Sequence, residues 1–164
     1  MSSQGFAPEL VILAEDQANI DLVNGFAQHH RLNQRSLKVL RPAKGWSKVK
    51  DKFVEDYIPM LREPKYRQRR LILLIDFDKV ESRLAHIQEA IPADLKDRVF
   101  VLGTWDEVEA LNKSLGYIGS EAIGKDLAEN CAENVETLWE HEQLRHNQAE
   151  VRRLVQSVKP FLFP

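Results

Sequence analysis

Short unbroken apolar runs recur along the chain, and between them the apolar positions fall three or four residues apart. Residues 9–14, Glu-Leu-Val-Ile-Leu-Ala, form the first run and read as a strand buried on both faces. Ile20, Leu22, Val23, Phe26 and Ala27 then keep helical spacing over residues 19–30, with Asp16 or Asn19 placed to cap the helix start. A second strand is expected over 36–40, ended by Pro42 and Gly45, and a second helical stretch over 46–61. Residues 70–76, with Leu71 to Ile75 wholly apolar, carry the strongest strand pattern and are assigned the central place in a sheet. A helix over 80–90 stopping near Pro92 and a strand over 98–103 complete the alternation.

Strand and helix alternating in this way predict an α/β fold. The expected form is a Rossmann-like three-layer sandwich with a mainly parallel sheet of about four strands, linked by right-handed crossovers and covered on both faces. Beyond Thr104 the pattern turns helical: a helix over 105–115, a turn over 116–119, then a long amphipathic helix over 124–158. Leu127, Cys131, Val135, Leu138, Leu144, Val151, Leu154 and Val158 form its apolar stripe, suited to covering the sheet or to meeting a protein partner or a second copy of the chain. The 164 residues are expected to form a single domain, with a core over 9–112 and a helical extension over 113–164.

Composition narrows the function classes. The chain is 43% hydrophobic and 29% charged, no apolar run approaches the length that crosses a bilayer, and the start lacks a signal-peptide pattern, so a cytoplasmic location is expected. Cys131 is the only cysteine, which rules out an internal disulfide or a cysteine zinc site and leaves it a packing role. A formal net charge of −2 argues against a protein that neutralises phosphates over its whole surface. The charge is unevenly spread, however. Lysines and arginines gather between Lys38 and Arg70, with Lys44, Lys48 and Lys50 in the turn and helix after the second strand, while glutamates gather in the second half. None of the five histidines has metal-ligand spacing, and the nucleophile elbow, the phosphate loop and the dinucleotide fingerprint are all absent.

In an open parallel sheet, ligands bind beyond the carboxyl ends of the strands. The first strand delivers Glu15 and Asp16 to that edge, and the third delivers Asp76 and Asp78. Carboxylates crowded together raise one another's pKa unless a cation intervenes, and a hard divalent ion such as Mg²⁺, or Mn²⁺, suits an all-oxygen ligand set.

A glutamate after the first strand, in Val11-Ile12-Leu13-Ala14-Glu15, and an Asp-x-Asp after the third, at Asp76 and Asp78, resemble the TOPRIM superfamily of topoisomerases, DnaG-type primases, OLD-family nucleases and small stand-alone domains. The resemblance spans roughly residues 9–112. It implies that Asp76 and Asp78 hold Mg²⁺, that Glu15 is a further ligand or a general acid/base in phosphodiester chemistry, and that Glu109 or Glu107 is an outer ligand. It also implies a nucleic-acid substrate, with Lys44, Lys48 and Lys50 in reach of the backbone. Many members have glycine after the first glutamate, where this chain has Asp16. Two other readings compete. Ile12 to Asn19 also resembles the acidic start of a response-regulator receiver, with Asp76 as phosphoryl acceptor, Thr104 as its hydroxyl and Lys159-Pro160 as its Lys-Pro pair. The third is a non-catalytic module presenting its C-terminal helix to a protein partner.

Overall fold

The computed structural model describes residues 5–164. Its centre is a four-stranded, wholly parallel sheet in the order β2-β1-β3-β4, built from β1 (Glu9–Ala14), β2 (Leu37–Val39), β3 (Arg69–Leu74) and β4 (Val99–Leu102). β1 and β3 are the two inner strands and pair over their whole length, Glu9 opposite Arg69 through Ala14 opposite Leu74. β2 is a short edge strand beside β1, and β4 closes the other edge.

Across β1, β3 and β4 the sheet is apolar on both faces, which is why those strands read as continuous runs. Leu10, Ile12, Ala14, Ile72, Leu74, Phe100 and Leu102 face one layer, made by α1 (Gln17–Ala27), α5 (Val108–Ser114), α6 (Ser120–Glu133) and α7 (Gln148–Leu162). Val11, Leu13, Leu71, Leu73, Val99 and Val101 face the other, made by α2 (Trp46–Lys52), α3 (Ile58–Leu61) and α4 (Glu81–Glu89). These are the expected three layers.

The helical stretch from Trp46 to Leu61 is continuous, but its centre, Phe53–Tyr57, is a π-helical turn. Pro59 has no N–H for the carbonyl four residues back, and the ladder widens just before it. The long helix expected over 124–158 is two helices. α6 stops at Asn134, which takes a left-handed conformation at φ 58° and returns its N–H to the Asn130 and Cys131 carbonyls. Asn130 also accepts from the Leu138 N–H at 2.9 Å, so the chain turns out of the helix and reaches α7 through an irregular segment. Val135, assigned to the apolar stripe, is accordingly exposed, whereas Val151, Leu154, Val158 and Leu162 of α7 are buried against the sheet.

α1 and α6 cross at unusually close range through Gly25 and Gly124. A Cβ on Gly124 would lie 2.0 Å from the Leu22 carbonyl oxygen, and one on Gly25 would lie 2.1 Å from that of Glu121. No helix is long and apolar enough to cross a membrane among the described residues.

Candidate metal centre

The order β2-β1-β3-β4 reverses direction between β1 and β3. The chain leaves β1 toward one edge and, after β2, crosses back to continue toward the other. A crevice opens beyond the carboxyl ends of the two strands at such a point. Glu15 follows β1 and Asp76 follows β3 by two residues, so both enter that crevice.

Several contacts hold this pair. Glu15 donates its N–H to the Leu74 carbonyl at 2.9 Å, and its Oε1 accepts the Asp76 N–H at 2.9 Å. Asp76 is 5% exposed, and its Oδ1 accepts from Asn19 Nδ2 at 2.9 Å and from Thr104 Oγ1 at 3.1 Å. Asn19 reaches it from the start of α1, where it and Asp16 form a reciprocal capping box. Asp16 occupies the N-cap in an extended conformation, φ −145°, so this turn needs no glycine. One ligand oxygen from each of Glu15, Asp16 and Asp76 lies within 4.8 Å of the others.

Burial dominates the electrostatics. The Glu15 carboxyl is pushed up to about 7, first by desolvation and then by the charges of Asp76 and Asp16, against the lowering effect of its bond from the Asp76 N–H. Asp76 is pushed up to about 6 by desolvation, with Asp16 and Asp78 adding to the shift and the Asn19 and Thr104 hydrogen bonds opposing it. A divalent cation among the three carboxylates would remove this conflict, and three oxygen donors fit a hard ion.

Asp78 is not in this group. It has a left-handed backbone at φ 48°, as does Lys79 at φ 60°, and its Oδ2 accepts from Arg83 Nη1 at 2.7 Å. The same Nη1 donates to the Asp76 carbonyl at 2.8 Å, and the guanidinium lies 4.9 Å from the centre of the Trp46 ring. Asp78 instead joins a second group, with oxygens of Asp106 and Glu107 within 4.8 Å, beside an ion pair of Lys79 with Asp106 at 3.6 Å. It does not cap α4, whose N-cap is Val80. Of the two outer residues named from sequence, Glu107 therefore lies with Asp78. Glu109 is exposed in the first turn of α5 and belongs to neither group.

The lysine-rich turn lies against the same edge. Past β2 the chain continues along β1, with the Ala43 N–H on the Ala14 carbonyl at 2.9 Å and the Lys44 N–H on the Glu15 carbonyl at 2.7 Å. Lys44 and Lys48 are exposed and Lys50 is half-buried, and among the described residues none of the three forms an ion pair.

Sequence reasoning missed Asn19 and Arg83 as partners of the acidic residues, and it gave Thr104 a role only in the receiver reading. It also missed the segment before α7. Asn147 brackets Gly103, accepting its N–H at 3.2 Å and donating to its carbonyl at 2.9 Å, while the Gln143 carbonyl accepts the Trp105 N–H at 2.9 Å. His146 donates from Nε2 to the Gly103 carbonyl at 2.8 Å between the rings of Phe77 and Trp105, and burial lowers its pKa. Such partners leave no local pattern, because each is fixed by a contact across the fold. Lys159, the receiver reading's lysine, donates to the Ala132 carbonyl at 3.0 Å. No family model, curated protein or solved structure matches the chain.

Proposed function

We propose that the chain is a metal-dependent phosphoryl-transfer protein of TOPRIM-like type, hydrolysing nucleic-acid phosphodiesters with Mg²⁺ or Mn²⁺. The observation that carries this reading is the convergence of Glu15, Asp16 and Asp76 oxygens within 4.8 Å where the strand order reverses. Glu15 and Asp76 hold the ion, with Asp16 at its margin. Asp78, with Asp106 and Glu107, forms an outer acidic wall. A bound divalent ion supplies Lewis-acid polarisation of the phosphoryl group. Asn19 and Thr104 fix the orientation of the Asp76 carboxylate. Glu15, ionised beside the ion's charge, is placed to accept a proton from an attacking water. Lys44, Lys48 and Lys50 neutralise backbone phosphates at the adjoining turn.

The test is titration calorimetry of Mg²⁺ and Mn²⁺ into the wild type, Asp76→Ala and the double variant Asp76→Ala/Asp78→Ala, followed by cleavage assays on DNA and RNA with each metal. The expected result is a binding isotherm in the wild type, lost in both variants together with cleavage. Folded wild-type protein that binds neither metal refutes the reading.

One contact favours the receiver-like alternative, the 3.1 Å hydrogen bond from Thr104 Oγ1 to Asp76 Oδ1. The bond of Lys159 to the Ala132 carbonyl weighs against it. Incubation with a small phosphodonor separates the two, since only the receiver gains an acid-labile phosphoryl group on Asp76.

A further inference from the structure

Between the sheet and the layer of α1, α6 and α7 lies a cavity of about 90 Å³ whose wall presents no polar surface. Ile12 and Leu74 form its floor on the inner strands, Leu127 and Cys131 line it from α6, and Leu154 and Val155 line it from α7. Lys159 contributes only its aliphatic stem, because its ammonium is turned to the Ala132 carbonyl at 3.0 Å. Cys131 contributes an unionised thiol, its pKa pushed up to about 12 by burial.

Protein interiors are packed closely enough that most voids are smaller than this one. Water gains little by entering, since it needs two to four polar partners and the wall offers only the weakly polar Cys131 thiol and the Trp139 indole beside it. Cavities of roughly this kind, lined by Leu, Ile and Phe, stay dry and accept xenon or small hydrocarbons. Val155, Phe26 and Leu37 among its lining residues are partly exposed. We infer that this cavity is a binding site for a small neutral apolar group, a short or branched alkyl chain, separate from the acidic crevice. A charged head group is excluded from its interior because no charged group faces it, the Lys159 ammonium being turned to the Ala132 carbonyl.

The experiment is methyl-detected NMR of the full chain under xenon pressure, with thermal melting alongside. The expected result is saturable shifts of the Ile12, Leu74, Leu127 and Leu154 methyls and a higher melting temperature. In Val155→Phe and in Cys131→Leu, each of which adds volume to the void, those shifts should be lost. Val155 is partly exposed, so its variant should fold even if the deeper one does not. Absence of wall-methyl shifts in the wild type, or their persistence in the folded filled variants, overturns the inference.

Discussion

Asp76 and Glu15 are unusual carboxyls because the fold favours their protonated forms. In the unfolded chain they ionise near 3.8 and 4.5, whereas in the fold Asp76 keeps its proton to about 6 and Glu15 to about 7. The folded state therefore binds more protons than the unfolded state between about pH 4 and 7. The contribution of this pair to stability is greatest below that window and falls as pH rises through it, the reverse of a salt-bridged carboxylate. At about 1.4 kcal/mol per unit, the loss for Asp76 is on the order of 2–3 kcal/mol. Melting curves from pH 5 to 7.5 in chelator are expected to show a decline that is shallower in Asp76→Asn. If the crevice takes a metal, Mg²⁺ should restore the melting temperature mainly above pH 6.5, and its binding near pH 6 should release protons. A wild-type profile parallel to that of Asp76→Asn would show that Asp76 is ionised as in water. Thr104→Val bears on the same carboxyl: losing a hydrogen bond to the charged form should raise the Asp76 pKa further and move the onset of metal binding to higher pH, read by calorimetry at several pH values.

At the scale of elements, the α1–α6 crossing is a joint of backbone against backbone. Its two glycines allow this approach, so a methyl group at Gly124 must push α6 away from the Leu22 carbonyl. Gly124→Ala should destabilise the chain by roughly 1–3 kcal/mol despite the better helix propensity of alanine, as measured by urea unfolding. β1, β3 and β4 were legible because each carries a run buried on both faces, and apolar runs of β-branched residues and leucine have few other uses. The short edge strand β2, with Lys38 exposed, was legible from its Leu-Lys-Val alternation before Pro42. The crossing was not legible, since glycine inside a helix signals close approach without naming the partner. Nor was the break between α6 and α7. It rests on one left-handed asparagine and a side-chain bond to Leu138, neither of which disturbs the apolar periodicity on which the helix over 124–158 was read. The site divides in the same way. Glu15 and Asp76 were legible as residues just past adjacent inner strands, whereas the direction of Asp78 depends on its positive φ and on Arg83, one turn into the next helix.

Taken whole, the molecule sets an acidic crevice beside a basic turn while its net charge is only −2. A uniformly acidic protein would repel a polyanion, and a uniformly basic one would bind it without regard to the crevice. Here the Lys44 N–H sits on the Glu15 carbonyl, so under the proposed function a phosphate recruited by this turn would be brought to the side of the crevice rather than to an arbitrary place on the surface. Each lysine that neutralises a phosphate releases counterions, and this makes affinity fall with salt. Replacing Lys44 and Lys48 with alanine should therefore weaken nucleic-acid binding about equally for all sequences and lower the slope of log affinity against log salt by roughly one per lost contact. Metal affinity should change little, because neither side chain hydrogen-bonds or ion-pairs with Glu15, Asp16 or Asp76. Fluorescence anisotropy with a labelled oligonucleotide at several salt concentrations, paired with Mg²⁺ calorimetry, separates the two effects. An unchanged slope would place the nucleic-acid contact elsewhere on the surface, and a parallel loss of metal affinity would mean that the turn supports the crevice through its backbone.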